Sequence, residues 1–239
     1  MHYRRLGRTG LEVSALCLGT MTFGGRTAAA DAKRIVDHAF DHGVNVIDTA
    51  DAYNGGAAEE IVGEALTANR SHWILATKAG NAVSGDRNQR GLSRRWLVQA
   101  CDGSLKRLKT DRIDVFYLHK EDPRTPLAET VEALADLRRA GKICYIGVSN
   151  FRAWRMAELC RLCDDAGIGR PAVCQPYYNA LNRQPEIEVL PACAHYGMGV
   201  VAYSPLARGV LTGKYAAGAD PDACASNGRR DTRMLETEW

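Results

Sequence analysis

The sequence predicts an α/β fold: one parallel sheet, covered by helices and wound toward a barrel. Three observations carry that expectation. Short apolar runs alternate with amphipathic helical stretches along almost the whole chain, the pattern of repeated strand–helix units. The runs are apolar throughout, as in strands buried on both faces. Three of them end abruptly in a titratable side chain: Val44–Ile47 in Asp48, Trp73–Thr77 in Lys78, and Ile113–Leu118 in His119.

The elements follow in order. Tyr3–Leu6 and Leu11–Val13 flank Gly7-Arg8-Thr9-Gly10, which reads as a hairpin. Ala15–Gly19 is a short strand before a loop holding Gly24 and Gly25. A helix over Ala30–His42 places Ile35, Val36, Ala39 and Phe40 on one face and stops at Gly43. Strand 44–48 precedes a helix near 57–69, with Ile61, Val62, Ala65 and Leu66 inward. Strand 73–78 precedes a helix from Ser93, a good N-cap, to about Leu108. Strand 113–119 precedes a helix from Pro126 to Ala140. Ile143–Val148 leads to a helix over Trp154–Ala166, and Ala172–Gln175 to one ending at Tyr196-Gly197. Val200–Tyr203 leads to a helix over Leu206–Tyr215. No shift in composition marks a linker, so residues 1–239 are expected to form a single domain.

Seven such units approach a TIM (β/α)8 barrel. After Lys214 the text turns polar and no eighth strand follows. The expectation is a chain cut short of its last helix–strand–helix, with an unusual fold as the other reading.

Composition narrows the function classes. The 239 residues are 46% hydrophobic and 25% charged, enough for one large core. A net charge of +3 is too small to argue for nucleic acid or an acidic membrane surface. No window approaches the ~18 apolar residues of a membrane span, and no apolar stretch follows the basic N-terminus as in a signal peptide. Scattered cysteines, Cys17, Cys144 and Cys174 among them, read as buried reduced thiols of a cytoplasmic protein.

Some local spellings carry no chemistry. Gly197-Met198-Gly199-Val200-Val201-Ala202 spells a dinucleotide loop, but it precedes a strand instead of joining strand to helix. Gly209–Lys214 is one residue short of a phosphate loop. His38 and His42 are one turn apart, and so are Cys160 and Cys163. With no further ligand beside either pair, no metal site is expected.

If the strands are parallel neighbours, Asp48, Lys78 and His119 meet at one end of the sheet, with Tyr53 on the loop after Asp48. In a barrel that end is the active-site face. A phenol is a poor acid near neutrality, with a reference pKa of ~10. An adjacent ammonium stabilises phenolate and eases proton donation. A carboxylate beside the lysine keeps it charged, and an imidazole can hydrogen-bond a carbonyl oxygen. The set suits protonation of a developing alkoxide. It contains no nucleophile, and no side chain supplies a hydride, so a nicotinamide cofactor is implied.

The same stretches resemble the aldo-keto reductases over essentially the whole chain. The signature is Asp48-Thr49-Ala50-Asp51-Ala52-Tyr53, continued by Gly55, Glu59 and Gly63. Ala76-Thr77-Lys78, Leu118-His119 and Asp122-Pro123 match the next motifs. Gly147–Phe151, Gln175–Asn179 and Ala202–Leu206 match the later ones. The similarity looks closest to bacterial members related to potassium-channel β-subunits. It implies Tyr53 as general acid, Lys78 and Asp48 as its tuning pair, and His119 orienting the carbonyl. It implies Ser149, Asn150 and Gln175, with Asp48 beside them, around the nicotinamide carboxamide and Tyr203 stacked on its ring. Gly19, Thr20 and Met21 would line the pocket, and Ser204, Leu206, Arg208, Gly209 and Lys214 would meet the pyrophosphate. The opening hairpin would plug the barrel bottom. The implied cofactor is NADPH; NADH stays open, because the loop that grips the 2′-phosphate is not in the sequence. The implied reaction is reduction of a small aldehyde or ketone. The alternatives are a non-catalytic cofactor-sensing subunit of a membrane assembly and an inert fragment. The identity of the carbonyl substrate and the oligomeric state are not legible.

Overall fold

The computed structural model describes residues 1–213. Strands β1 (Tyr3–Arg5) and β2 (Glu12–Ser14) form the antiparallel hairpin. The remaining strands make one parallel seven-stranded sheet in sequence order. They are β3 (Leu18–Gly19), β4 (Val46–Asp48), β5 (Ile74–Ala79), β6 (Ile113–Leu118), β7 (Ile143–Ser149), β8 (Val173–Gln175) and β9 (Gly199–Val200). Helices α1 (Ala29–Asp41), α2 (Ala57–Leu66), α3 (Arg94–Arg107), α4 (Leu127–Arg139), α5 (Ala153–Asp165) and α6 (Val189–Tyr196) cover the outer face. Parallel neighbours need a crossover each, and a helix supplies it. The result is a curled sheet of the (β/α)8 type, open between β3 and β9 among the described residues.

Alternation along each strand sorts the residues into two layers. Ile47, Leu75, Phe116 and Val148 face the helices and are fully buried there with Val62, Leu97 and Leu134. Each such side chain contributes about 1.5–3 kcal/mol. Ala76, Val115, Tyr117 and Val173 face the barrel interior, where Leu6 of the hairpin packs among them. The hairpin therefore closes the bottom of the barrel, as expected. Ser93 caps α3 by accepting from the Trp96 N–H.

Three expectations need correction. The strands predicted over Ala15–Gly19 and Val200–Tyr203 shrink to Leu18–Gly19 and Gly199–Val200, with one isolated bridge between Tyr177 and Tyr203. Among the described residues each has a ladder partner on one side alone, so little backbone pairing holds them extended. The predicted helix Leu206–Tyr215 is a 3₁₀ segment, Ala207–Thr212, broken where Arg208 and Gly209 take left-handed conformations; residues beyond 213 lie outside the described part. On α1 the buried stripe is Ala32, Val36 and Ala39, while Ile35 is exposed.

Cys101, Cys160, Cys163, Cys174 and Cys193 are buried free thiols, and Cys17 and Cys144 are partly buried. Among the described residues no helix is long and apolar enough to cross a membrane.

Candidate active site

The carboxyl ends of β4, β5, β7 and β8 meet at one rim of the sheet. In-register pairing sets Asp48 beside Gly19 on one flank and beside Ala76 on the other. Lys78 lies two residues past Ala76, so it shares the inward face. Thr77 points the other way, and its hydroxyl donates to Glu59 of α2. After Asp48 the chain stays zipped to β5: Thr49 N–H bonds Ala76 O, and Asp51 N–H bonds Lys78 O at 3.1 Å. A tight turn then brings Tyr53 back over the rim, with its N–H on Ala50 O. His119 continues β6 by donating its N–H to Ala79 O.

The four groups picked out in the sequence are thus brought together. The Lys78 ammonium is 1% exposed. It donates to the Asp48 carboxylate, to Thr49 O at 2.8 Å and to the Tyr53 hydroxyl at 3.2 Å. Burial is the largest influence and works against its charge, but the Asp48 carboxylate and the Tyr53 hydroxyl together outweigh it and hold the ammonium above the ordinary lysine range. The Tyr53 and His119 rings meet edge to face, centroids 5.9 Å apart.

The second oxygen of Asp48 accepts from Gln175 Nε2 at 3.0 Å, so the β8 end is tied to the same carboxylate. Ser149 Oγ donates to Gln175 O. Asn150 Nδ2 donates to His119 O and to Ser149 Oγ, and Asn150 Oδ1 accepts from the Tyr203 hydroxyl at 2.9 Å. Tyr203 lies 5.3 Å from Tyr177, rings inclined by 31°.

One cleft of about 1760 Å³ opens over this network. Its walls include Gly19, Thr20, Met21, Asp48, Tyr53 and His119. Ser149, Asn150, Gln175, Tyr203, Ser204 and Arg208 line it as well. It runs down the open side between β3 and β9 to the hairpin, reaching Arg4 and Leu6. Leu206 and Gly209 belong to the same loop as Arg208 but do not line the cleft, and Leu206 is exposed. Lys214 lies outside the described residues.

Three contributors were missed in the sequence. Tyr117 is buried beneath the site, its ring 5.7 Å from the Lys78 ammonium; burial pushes its pKa well above the ordinary tyrosine value and keeps it a neutral phenol. Reading β6 for period two would have put it inward with Lys78. Asn54, left-handed at φ 49°, donates to Met21 O and Phe23 O and ties the Tyr53 turn to the first loop. Only its place after Tyr53 hinted at this. Arg107 of α3 donates to the fully buried Glu59 at 2.7 Å, a pairing no local pattern announces.

The aldo/keto reductase family model matches residues 15–236. The chain belongs to the aldo/keto reductase family. It is 43% identical over 225 residues to the uncharacterized oxidoreductase YrpG of Bacillus subtilis, covering 90% of this chain and 69% of that protein. It is 41% identical over 226 residues to a probable voltage-gated potassium channel subunit beta of Arabidopsis thaliana, covering 92% and 69%. It is 40% identical over 204 residues to aflatoxin B1 aldehyde reductase member 2 of Mus musculus, covering 84% and 54%. An oxidoreductase assignment follows from this membership, and nicotinamide cofactors are the rule in this aldo/keto reductase family.

Proposed function

We propose that the chain reduces small aldehydes or ketones to alcohols with NADPH, and that Tyr53 is the general acid. The observation that carries this reading is the Lys78 ammonium, held by Asp48 and within 3.2 Å of the Tyr53 hydroxyl. A buried cation against a phenol favours the phenolate that remains once the proton has left. Tyr53 Oη passes its proton to the carbonyl oxygen as charge develops there. His119, in contact with the Tyr53 ring, orients that oxygen. Lys78 and Asp48 keep the proton donor fixed in a water-poor setting.

The residues around the cleft fit a nicotinamide cofactor. Ser149, Asn150 and Gln175 place amide and hydroxyl groups at adjacent strand ends, Tyr203 offers an aromatic wall, and Arg208 supplies a cation on the same cleft. When bound, that group supplies the hydride. NADPH is the favoured form, and NADH is the alternative to compare.

A second reading rests on the 41% identity to plant proteins named as probable potassium channel β-subunits. In it the chain binds the cofactor as a sensing subunit and turns over little substrate. The deciding experiment follows NADPH absorbance with a panel of small aldehydes and ketones, beside a Tyr53→Phe control. Turnover lost in the control supports the reductase. Cofactor binding with no turnover on any carbonyl supports the sensing subunit.

A further inference from the structure

The opposite end of the barrel holds a second basin, of about 550 Å³, at the amino ends of β7, β8 and β9. Three arginines from separate parts of the chain line it: Arg8 from the hairpin turn, Arg138 from the last turn of α4, and Arg170 from the loop before β8. One carboxylate shares the wall. Asp164 takes Arg170 through three contacts of 2.7–3.0 Å. Among the described residues no carboxylate pairs with Arg8 or Arg138. The basin therefore carries a surplus of positive charge.

The backbone is shaped to hold these side chains in place. The Arg8 N–H bonds Gly197 O at 2.9 Å, which pins the hairpin turn to the end of α6. A Cβ on Gly197 would fall 2.3 Å from Arg8 Cδ and Nε, so the arginine stem lies flat on a glycine. A Cβ on Gly169 would fall 3.3 Å from Arg138 Nη1. Both glycines are left-handed, at φ 73°. Arg138 is half-buried, and Arg170 stacks over Tyr196 with its guanidinium carbon 5.7 Å from the ring centre. Guanidinium forks without carboxylate partners among the described residues match the oxygens of a phosphate group, and aromatic Tyr145 and Tyr196 on the same wall suit an organic body attached to it.

We infer that this basin binds a small molecule bearing a phosphate group, at a site separate from the reductase cleft. Arg8 and Arg138 supply the free charge, and Arg170, already neutralised by Asp164, supplies a packing wall.

The test titrates the full chain with inorganic phosphate and, separately, with adenosine 5′-monophosphate at low ionic strength, read by calorimetry and thermal melting. Wild type, Arg8→Gln, Arg138→Gln and Arg208→Gln are compared. Arg208 lines the other cleft and controls for phosphate binding there. The expected result is binding by the wild type and Arg208→Gln, at least tenfold weaker in Arg8→Gln and in Arg138→Gln. Tighter binding of the nucleotide identifies an ester, and equal binding identifies free phosphate. Equal binding by all four proteins, loss in Arg208→Gln alone, or no binding by the wild type overturns the inference. Those results would leave the arginines as partners of helix carboxyl ends. Arg8 sits on an exposed turn, so Arg8→Gln keeps the test valid if the α4 variant does not fold.

Discussion

The Lys78 ammonium sits 3.2 Å from the Tyr53 hydroxyl, with Asp48 and Thr49 O taking its other contacts. The pair joins the end of β5 to the turn after β4, 25 residues apart in sequence. It is buried against Tyr117 below, so solvent screens the cation little. In the proposed reaction the phenol, and not the lysine, gives up the proton.

Tyr53→Phe removes that proton and leaves the ring. Reduction is expected to fall by far more than tenfold while cofactor affinity stays within twofold. A remaining rate above a tenth of wild type, a barrier change below ~1.4 kcal/mol, would remove Tyr53 from the role of acid. Single-turnover rates and cofactor titration by fluorescence measure both quantities.

Lys78→Met removes the cation that favours phenolate. The apparent pKa of the proton-donating step is expected to rise, shifting the pH–rate profile to higher pH, with a large fall in rate. A profile unchanged in position and height would show that the two groups do not act together.

Arg107 is the partner of a carboxylate with no exposure to solvent. Its replacement by Met leaves Glu59 charged and buried, with Thr77 as its remaining donor. Destabilisation of about 3–5 kcal/mol is expected. The double variant Arg107→Met, Glu59→Gln should recover most of it. Urea melts of the wild type, Arg107→Met, Glu59→Gln and the double variant decide the matter; additive losses would mean the pair is not coupled.

How much of this was readable depends on the range of the interaction. The strand ends were legible because an apolar run that stops in Asp48, Lys78 or His119 is a local pattern. Register then brought the residues together without further information. The Glu59–Arg107 pair was not legible, because its members are 48 positions apart on helices whose packing is tertiary. Ile35 was misassigned because apolar residues at 35, 36, 39 and 40 fit a helical stripe as well as 32, 36 and 39 do, and alanine at 32 gives a weak signal. The helix expected from Leu206 was not legible as a broken 3₁₀ segment, because its break lies in the left-handed backbone of Arg208 and Gly209, which no side-chain pattern announces.

Asp51 gives the last expected outcome. It lies between Asp48 and Tyr53, buried, and its two carboxylate oxygens accept no hydrogen bond among the described residues. Burial, with the Glu59 charge adding to it, pushes its pKa up to about 7; Arg107, the neighbouring Ala52 N–H and Lys78 pull the other way without cancelling it. In the unfolded chain it titrates near ~3.9. Between those values the folded protein holds a proton that the unfolded chain has lost. Stability from this group is therefore complete below about pH 4, falls as pH rises toward 7, and is level above it. Asp51→Asn cannot ionise. Its stability relative to wild type should grow across that window, by up to ~1.4 kcal/mol per pH unit, and plateau near pH 8. Urea melts of both proteins at pH 5, 6, 7 and 8 measure the difference, in which all other titrating groups cancel. A difference that is flat or shrinks with pH would mean that Asp51 is already ionised in the folded protein at pH 5.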